Sequence, residues 1–313
     1  MGARVAPKTI TAYQRAYDNF NIYITHTARH NTQTAPDLDN ALKNYIIHLY
    51  DNSRNKSRSP AEKAFCAVLF YRPEVKGSLY HSAALLKGWK NLHPSTTKPP
   101  FTWPITVLLA STMASHGYFD AGLATLVGFD CLLRISEFCK FRIDDVITPN
   151  NQLVGPAEQT ILRIRRAKTG KEQSVAIWNN DILYLLNIHL QRRCRDQSAA
   201  KLFVFTAAEY RAIVKKCLIA LKLDHLGFTP HSLRHGGATH LLRQNHSAGT
   251  IYLRGRWSPN STTIITYLQV AAAASLDLEV TDAHIAQANT ILHDFRPRMK
   301  ALLFPNASAV GSS

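Results

Sequence analysis

The stretch Phe228-Thr229-Pro230-His231-Ser232-Leu233-Arg234-His235-Gly236-Gly237 decides the reading of this 313-residue chain. Thr229 is a good helix N-cap and Pro230 a good first helical residue, so a helix is expected to begin there. His231 and Arg234, three apart, then share one face at an end where unpaired backbone N–H groups and the helix dipole favour an anion. Such a pair suits phosphate. Gly236 and Gly237 each cost about 1 kcal/mol relative to Ala inside a helix, which implies that another backbone comes close to them. Alone, His231 reads as a hydrogen-bonded cap histidine; its weight comes from Arg234 and from a second arginine upstream.

That arginine is Arg134 in Leu132-Leu133-Arg134-Ile135-Ser136-Glu137-Phe138, trailed at i+3 by the carboxylate of Glu137. In isolation the two read as a helical ion pair. Two further stretches join them. Arg166-Ala167-Lys168-Thr169-Gly170-Lys171 has the composition of a turn, where a lysine is by default solvated. It is no nucleotide phosphate loop, because Arg165 stands where the glycine five residues before Gly170 is required. Gly255-Arg256-Trp257 is followed ten residues later by Tyr267, and either aromatic is by default core.

Working outward, Tyr13, Tyr17, Phe20 and Tyr23, and then Leu42, Tyr45, Ile46 and Leu49, recur at helical spacing, so residues 8–93 read as a small all-helical domain. HPSTTKPPFTWP (93–104), with its four prolines, reads as a linker. This places a helical domain at 1–97 and a second domain at 98–313. In the second, 105–148 reads as helices, ILRIRR (161–166) and SVAIW (174–178) as a β-hairpin around the Lys168 turn, and helices resume from Asp181. The expected fold is mainly α with a small β-hairpin or sheet.

Lys plus Arg number 37 against 21 Asp plus Glu, a net +16, divided evenly between residues 1–100 and the remainder. With 46% hydrophobic and 19% charged residues the chain has a globular composition, so the surplus belongs on folded surfaces and points to an extended polyanion. No apolar run approaches the roughly 18 residues that span a bilayer, and the N-terminus has no signal core; an intracellular, soluble protein without a membrane partner is expected. Cys66, Cys131, Cys139, Cys194 and Cys217 are odd in number and lack CxxC spacing, which argues for reduced core thiols over disulfides or zinc. The segment 258–295 has no Lys or Arg but carries Asp277, Glu279, Asp282 and Asp294, so it is expected to pack on protein rather than along a polyanion.

Taken in order, LLRISEF, KTGK, HSLRHGGATHLL and GRW…TTIITYL resemble the tyrosine recombinase (phage integrase) family over about residues 105–270, and TITAYQRAYDNFNIYI is similar to the helical core-binding domain that precedes its catalytic domain. The GRW form, with Trp where bacterial members mostly carry His, resembles the recombinases of eukaryotic mobile elements. The resemblance implies Arg134, Lys168, His231, Arg234, Trp257 and Tyr267 as catalytic residues, with Glu137 and His235 supporting them. One departure stands: the family usually places its tyrosine nine residues after the His or Trp, and here the interval is ten. Tyr252, the other nearby tyrosine, precedes Trp257 and fits badly.

The resemblance further implies site-specific recombination or integration of double-stranded DNA, including transposition, through a 3′-phosphotyrosyl intermediate. Such chemistry requires no cofactor, metal or ATP, and a tetramer forms on paired sites with about 275–304 docking on a neighbouring copy. Arg54, Lys56, Arg58, Arg163, Arg165, Arg166 and Lys171 are the expected DNA contacts; for each basic run the ordinary alternative is a solvated face. A type IB topoisomerase and a domesticated DNA-binding protein that no longer cleaves are the rival readings. Nucleus, if the source is eukaryotic, and cytoplasm otherwise both fit.

Overall fold

A computed structural model describes residues 5–27, 32–94, 98–149, 159–165, 172–195, 201–257 and 280–305. The chain divides into two compact units, Met1–Thr96 and Thr97–Ser313. Among the described residues no helix is long and apolar enough to cross a membrane.

The first unit holds α1 (Pro7–Thr27), α2 (Ala35–Asp51), α3 (Ser59–Tyr71) and α4 (Tyr80–Leu92). The aromatic spacing of α1 becomes a set of ring contacts: Tyr13 meets Phe70 and Tyr17 meets Tyr71 on α3, while Phe20 and Tyr23 both meet Tyr45 on α2. Phe20, Leu42, Ile46, Val68 and Trp89 centre the core. The residue before α4 is Leu79, which has no capping oxygen. Asp39 of α2, itself buried, supplies it instead, accepting from the N–H groups of His81 and Ser82 at 2.9 and 3.0 Å.

The second unit is built on α5 (Trp103–Ser115) and α6 (Phe119–Asp130), which are apolar nearly all round and therefore buried. After them come α7 (Ile135–Phe138), strands β1 (Val146–Ile147), β2 (Ile161–Ile164) and β3 (Gln173–Ala176), and helices α8 (Asn180–Arg195), α9 (Ala207–Ala220), α10 (Pro230–Arg243), α11 (Ala248–Gly255), α12 (Asp282–His293) and α13 (Phe295–Leu303). The strands form an antiparallel sheet in the order β1-β2-β3, with Leu162 opposite both Val146 and Val175. The fold is mainly α with one small sheet.

The structure departs from the sequence reading at two places, the span 105–148 and the cysteines. The span 105–148 is not helical throughout: α6 ends at Asp130, Leu132 takes a left-handed conformation (φ 49°), and only the single turn of α7 and a 3-10 turn at Ile143–Asp145 follow before β1. Residues 280–304 also contribute to the core of this unit. Ala288, Ile291, Phe295, Met299 and Leu303 are buried in the same core as α5 and α6, because α12 and α13 are apolar on one face, and Arg296 pairs with Asp181 of α8 at 2.8 Å. Of the cysteines, Cys131 and Cys217 are buried, but Cys66 is exposed.

Candidate active site

The N-terminus of α10 forms as its sequence requires. Thr229 is extended (φ −133°, ψ 164°), Pro230 opens the helix, and Ser232 Oγ accepts from the Thr229 N–H at 3.1 Å. The two glycines answer to backbone: a Cβ at Gly236 would lie 1.9 Å from the Phe101 carbonyl oxygen, and one at Gly237 would lie 2.2 Å from that of Phe129. Phe101 also donates its N–H to Ser232 O at 3.1 Å, so the chain entering α5 is laced directly onto α10.

Arg234, 1% exposed, points from α10 into the junction of the α6–α7 turn with the end of α11. Its Nη1 donates to Leu132 O at 2.5 Å, its Nη2 to Gly255 O, and its guanidinium lies 4.3 Å from the ring centre of Trp257. Leu132 owes its availability as an acceptor to its left-handed turn, which stops α6 from running on. Trp257 is held by its backbone N–H, which donates to Tyr252 O at 3.1 Å, while Tyr252 packs with Leu132, Ala238, Leu241 and Ile251.

Arg134 caps α7. Its Nη1 donates to Glu137 Oε1 at 2.7 Å and its backbone N–H to Glu137 Oε2 at 2.8 Å, and the side chain remains 26% exposed. Glu137 is buried beneath it. Burial raises the Glu137 pKa, but Arg256, the backbone N–H of Arg134 and the Arg134 guanidinium outweigh that and hold the carboxyl below its ordinary value. Arg256 is the residue that sequence reasoning missed: its Nη2 reaches Glu137 Oε2 at 2.7 Å and Leu132 O at 3.2 Å. The signal for it was present, since Arg256 is a charged residue between Gly255 and Trp257 in the very stretch singled out, but nothing in that spacing named its partner.

His231 is exposed at the rim and His235 buried behind it, with ring centres 4.4 Å apart. Partial desolvation first, then Arg234 and Arg134, lower the His231 pKa below the ordinary histidine value. Burial, His231 and Arg234 push His235 down to about 3. Both imidazoles are neutral near pH 7, and His231 is therefore a proton acceptor beside two permanent cations.

The basic residues named from sequence fall into different settings. Arg54 is exposed, whereas Lys56 donates to Tyr50 O at 2.9 Å and lies over the Tyr50 ring, and Arg58 pairs with Glu62 at 2.7 Å. Arg165 is paired with both Asp144 (2.6 Å) and Asp145 (2.5 Å), and Arg163 lies 3.6 Å from Asp145. Arg166, Lys168, Lys171 and Tyr267 lie outside the described residues. Arg134, Glu137, His231, Arg234, His235 and Trp257 are brought together around the start of α10, the turn after α6 and the end of α11.

The model of the phage integrase family matches residues 107–274. Transposase A from transposon Tn554 of Staphylococcus aureus (strain Mu50 / ATCC 700699) is 22% identical over 146 residues, covering 44% of this chain and 40% of that protein's length; the same protein from strain N315 matches equally. Among solved structures, the Tn1549 transposon integrase in complex with circular intermediate DNA has a TM-score of 0.59 at 15% identity, covering 88% of this chain and 95% of that one. XerH site-specific recombinase bound to its difH substrate has a TM-score of 0.54 at 16% identity, covering 87% and 79%. These two structures share the fold with the chain. Since the family model spans more than half of its residues, the chain belongs to the phage integrase family.

Proposed function

We propose that the protein is a tyrosine recombinase that cuts and rejoins double-stranded DNA at specific sites, as an integrase or transposase of a mobile element. The observation that carries the reading is the grouping of Arg134 and Arg234 with a neutral His231: two guanidiniums that cannot deprotonate, beside one proton acceptor. In this reading the Tyr267 phenolic oxygen attacks phosphorus, the P–O5′ bond breaks, and a 3′-phosphotyrosyl bond forms that conserves the energy for rejoining. The phenolic proton passes to His231, and Lys168 protonates the departing 5′-oxygen, with Lys171 as the second choice. Arg134 and Arg234 hold the negative charge that develops on the non-bridging oxygens, a task that in other enzymes falls to a metal ion. Trp257 packs on Arg234 and fixes its plane.

Residues 1–97 act in this reading as the core-binding domain and 98–313 as the catalytic domain, with four copies assembling on paired sites. Arg54 is the strongest phosphate contact of the first basic run, since Lys56 and Arg58 are already engaged. The decisive experiment incubates the full chain with terminal DNA of the element, nicked near the cleavage point, and resolves the products by denaturing electrophoresis. The wild type forms a covalent protein–DNA adduct; Tyr267→Phe forms none and keeps its DNA affinity within about threefold. An adduct that persists in Tyr267→Phe, or none in the wild type with DNA bound, overturns the reading.

A further inference from the structure

The segment Arg254-Gly255-Arg256-Trp257 meets the site at Glu137 and at Arg234, and its two arginines face different ways. Arg254, with 3% of its side chain exposed, donates to Asp130 O and Asp130 Oδ2 at 3.0 Å each and to Ala176 O at 2.9 Å, and stacks 3.8 Å from the centre of Trp178. It binds the end of β3 to the end of α6. Arg256 turns the other way. Residue 256 is left-handed (φ 54°), which ends α11 and throws its guanidinium beneath the α6–α7 turn, where the side chain is 4% exposed.

There its hydrogen bonds reach both supports of the arginine pair. Nη2 donates to Glu137 Oε2 at 2.7 Å and to Leu132 O at 3.2 Å; Nη1 donates to Arg254 O at 3.0 Å and Cys131 O at 3.4 Å. Glu137 is the carboxylate that Arg134 leans on, and Leu132 O is the acceptor that fixes Arg234. We infer that Arg256 is a positioning residue of the strand-transfer site, setting Arg134 through the Glu137 carboxylate and Arg234 through the Leu132 carbonyl. The inference rests on the reading of Arg134 and Arg234 as phosphate ligands, and Arg256 itself touches no reacting atom.

The electrostatics give the reason for a second cation. A buried carboxylate with Arg134 as its one partner would draw that guanidinium inward and consume its charge. Shared between two arginines, Glu137 neutralises one positive charge of the pair, and the partly exposed Arg134 keeps a surplus for an incoming anion. A single lysine nitrogen at 256 could stand in for Nη2 but not also for Nη1, whose bonds to Arg254 O and Cys131 O hold the guanidinium in place.

The test uses the full chain with Arg256→Met and Arg256→Lys, each made in the wild-type and Arg134→Lys backgrounds. Single-turnover adduct formation on nicked DNA should fall ~10–100-fold in Arg256→Met, the range typical of residues that orient a reacting group's ligands, with the DNA dissociation constant within about threefold, and Arg256→Lys should recover part of the loss. In the Arg134→Lys background the further loss from Arg256→Met should shrink without vanishing, because the route through Glu137 is gone while the route to Arg234 through Leu132 O remains. Equal losses in both backgrounds, or wild-type rates in Arg256→Met, overturn the inference.

A second measurement needs no cleavage. In ¹⁵N-arginine-labelled protein, Arg256→Met should move the side-chain N–H signals of both Arg134 and Arg234; signals that stay in place overturn the inference whatever the adduct shows. A wild type that forms no adduct counts against strand transfer alone, and the labelled spectra then decide the role of Arg256. If thermal unfolding shows that Arg256→Met does not fold, Arg256→Lys carries the test, and a rate and spectrum identical to wild type in that variant overturn the inference.

Discussion

Arg234 and Arg256 donate to one and the same acceptor, the carbonyl oxygen of Leu132, at 2.5 and 3.2 Å. Arg234 comes from α10 and Arg256 from the end of α11, so a single main-chain oxygen sets the spacing of two helices and the direction of one proposed phosphate ligand. Arg234 spends a second donor on Gly255 O, which closes the triangle.

Arg234→Lys is the direct probe of this geometry. An ammonium cannot reach Leu132 O and Gly255 O in one plane while stacking on Trp257. Single-turnover cleavage at saturating DNA should fall roughly 10²–10³-fold, as expected when one fixed donor to a developing charge is lost. Cleavage within a factor of about three of wild type would contradict the placement of Arg234 at the reacting phosphate.

Gly236→Ala is expected to be costly and Gly249→Ala mildly stabilising. A Cβ at 236 would meet the Phe101 carbonyl oxygen at 1.9 Å, so α5 and α10 must separate; at 249 the nearest atom is Ser247 Oγ at 3.7 Å. Urea unfolding should show a loss of about 1–3 kcal/mol or more for the first and a gain of up to about 1 kcal/mol for the second, which lies inside α11.

The two histidines make separate pH predictions. His231 has a lowered pKa, so a rate that depends on its neutral form should hold below pH 6.5 before declining, and that acid limb should vanish in His231→Gln. For His235 the folded value is about 3 against 6.5 for the free side chain. Above pH 6.5 both states are neutral and nothing is lost; between 6.5 and 3 the unfolded chain takes up a proton that the folded chain refuses, and stability falls by up to about 1.4 kcal/mol per pH unit. Denaturant unfolding from pH 7 to pH 4 should show that slope in the wild type and a shallower one in His235→Asn.

The salt dependence of DNA binding separates exposed from engaged arginines. Arg54→Ala should reduce the slope of log K against log salt by ~0.9, the value for one lost phosphate contact. Arg165→Ala should reduce it by less, because Asp144 and Asp145 already neutralise that guanidinium. Equal reductions would mean that DNA displaces both carboxylates.

The sequence was most informative where local rules apply. The Thr229 cap, the start of α10 at Pro230, the crowding at Gly236 and Gly237, the β2–β3 pairing and the aromatic face of α1 all follow from capping, propensity and periodicity over a few residues. What escaped it depends on distant neighbours. The end of α6 before Leu132 leaves no breaker in an apolar run; the strand Val146–Ile147 is two residues long and exists through its pairing with β2; and the Glu137 and Leu132 partners of Arg256 lie more than a hundred positions away. For α12 and α13, likewise, periodicity shows an apolar face but not which part of the core receives it.

The platform beneath Arg234 is an amide oxygen, and every one of the twenty amino acids brings that atom to position 132. Replacing the Leu132 side chain therefore leaves the acceptor in place and acts on this spot through the left-handed backbone angle and through packing against Ala238, Leu241 and Ile251. Substitution by glycine or asparagine, both at ease with that angle, should leave the arginine's foothold standing, while a β-branched residue would tilt it. Tolerance to mutation at this position is thus governed by torsion together with the packing of a fully buried side chain.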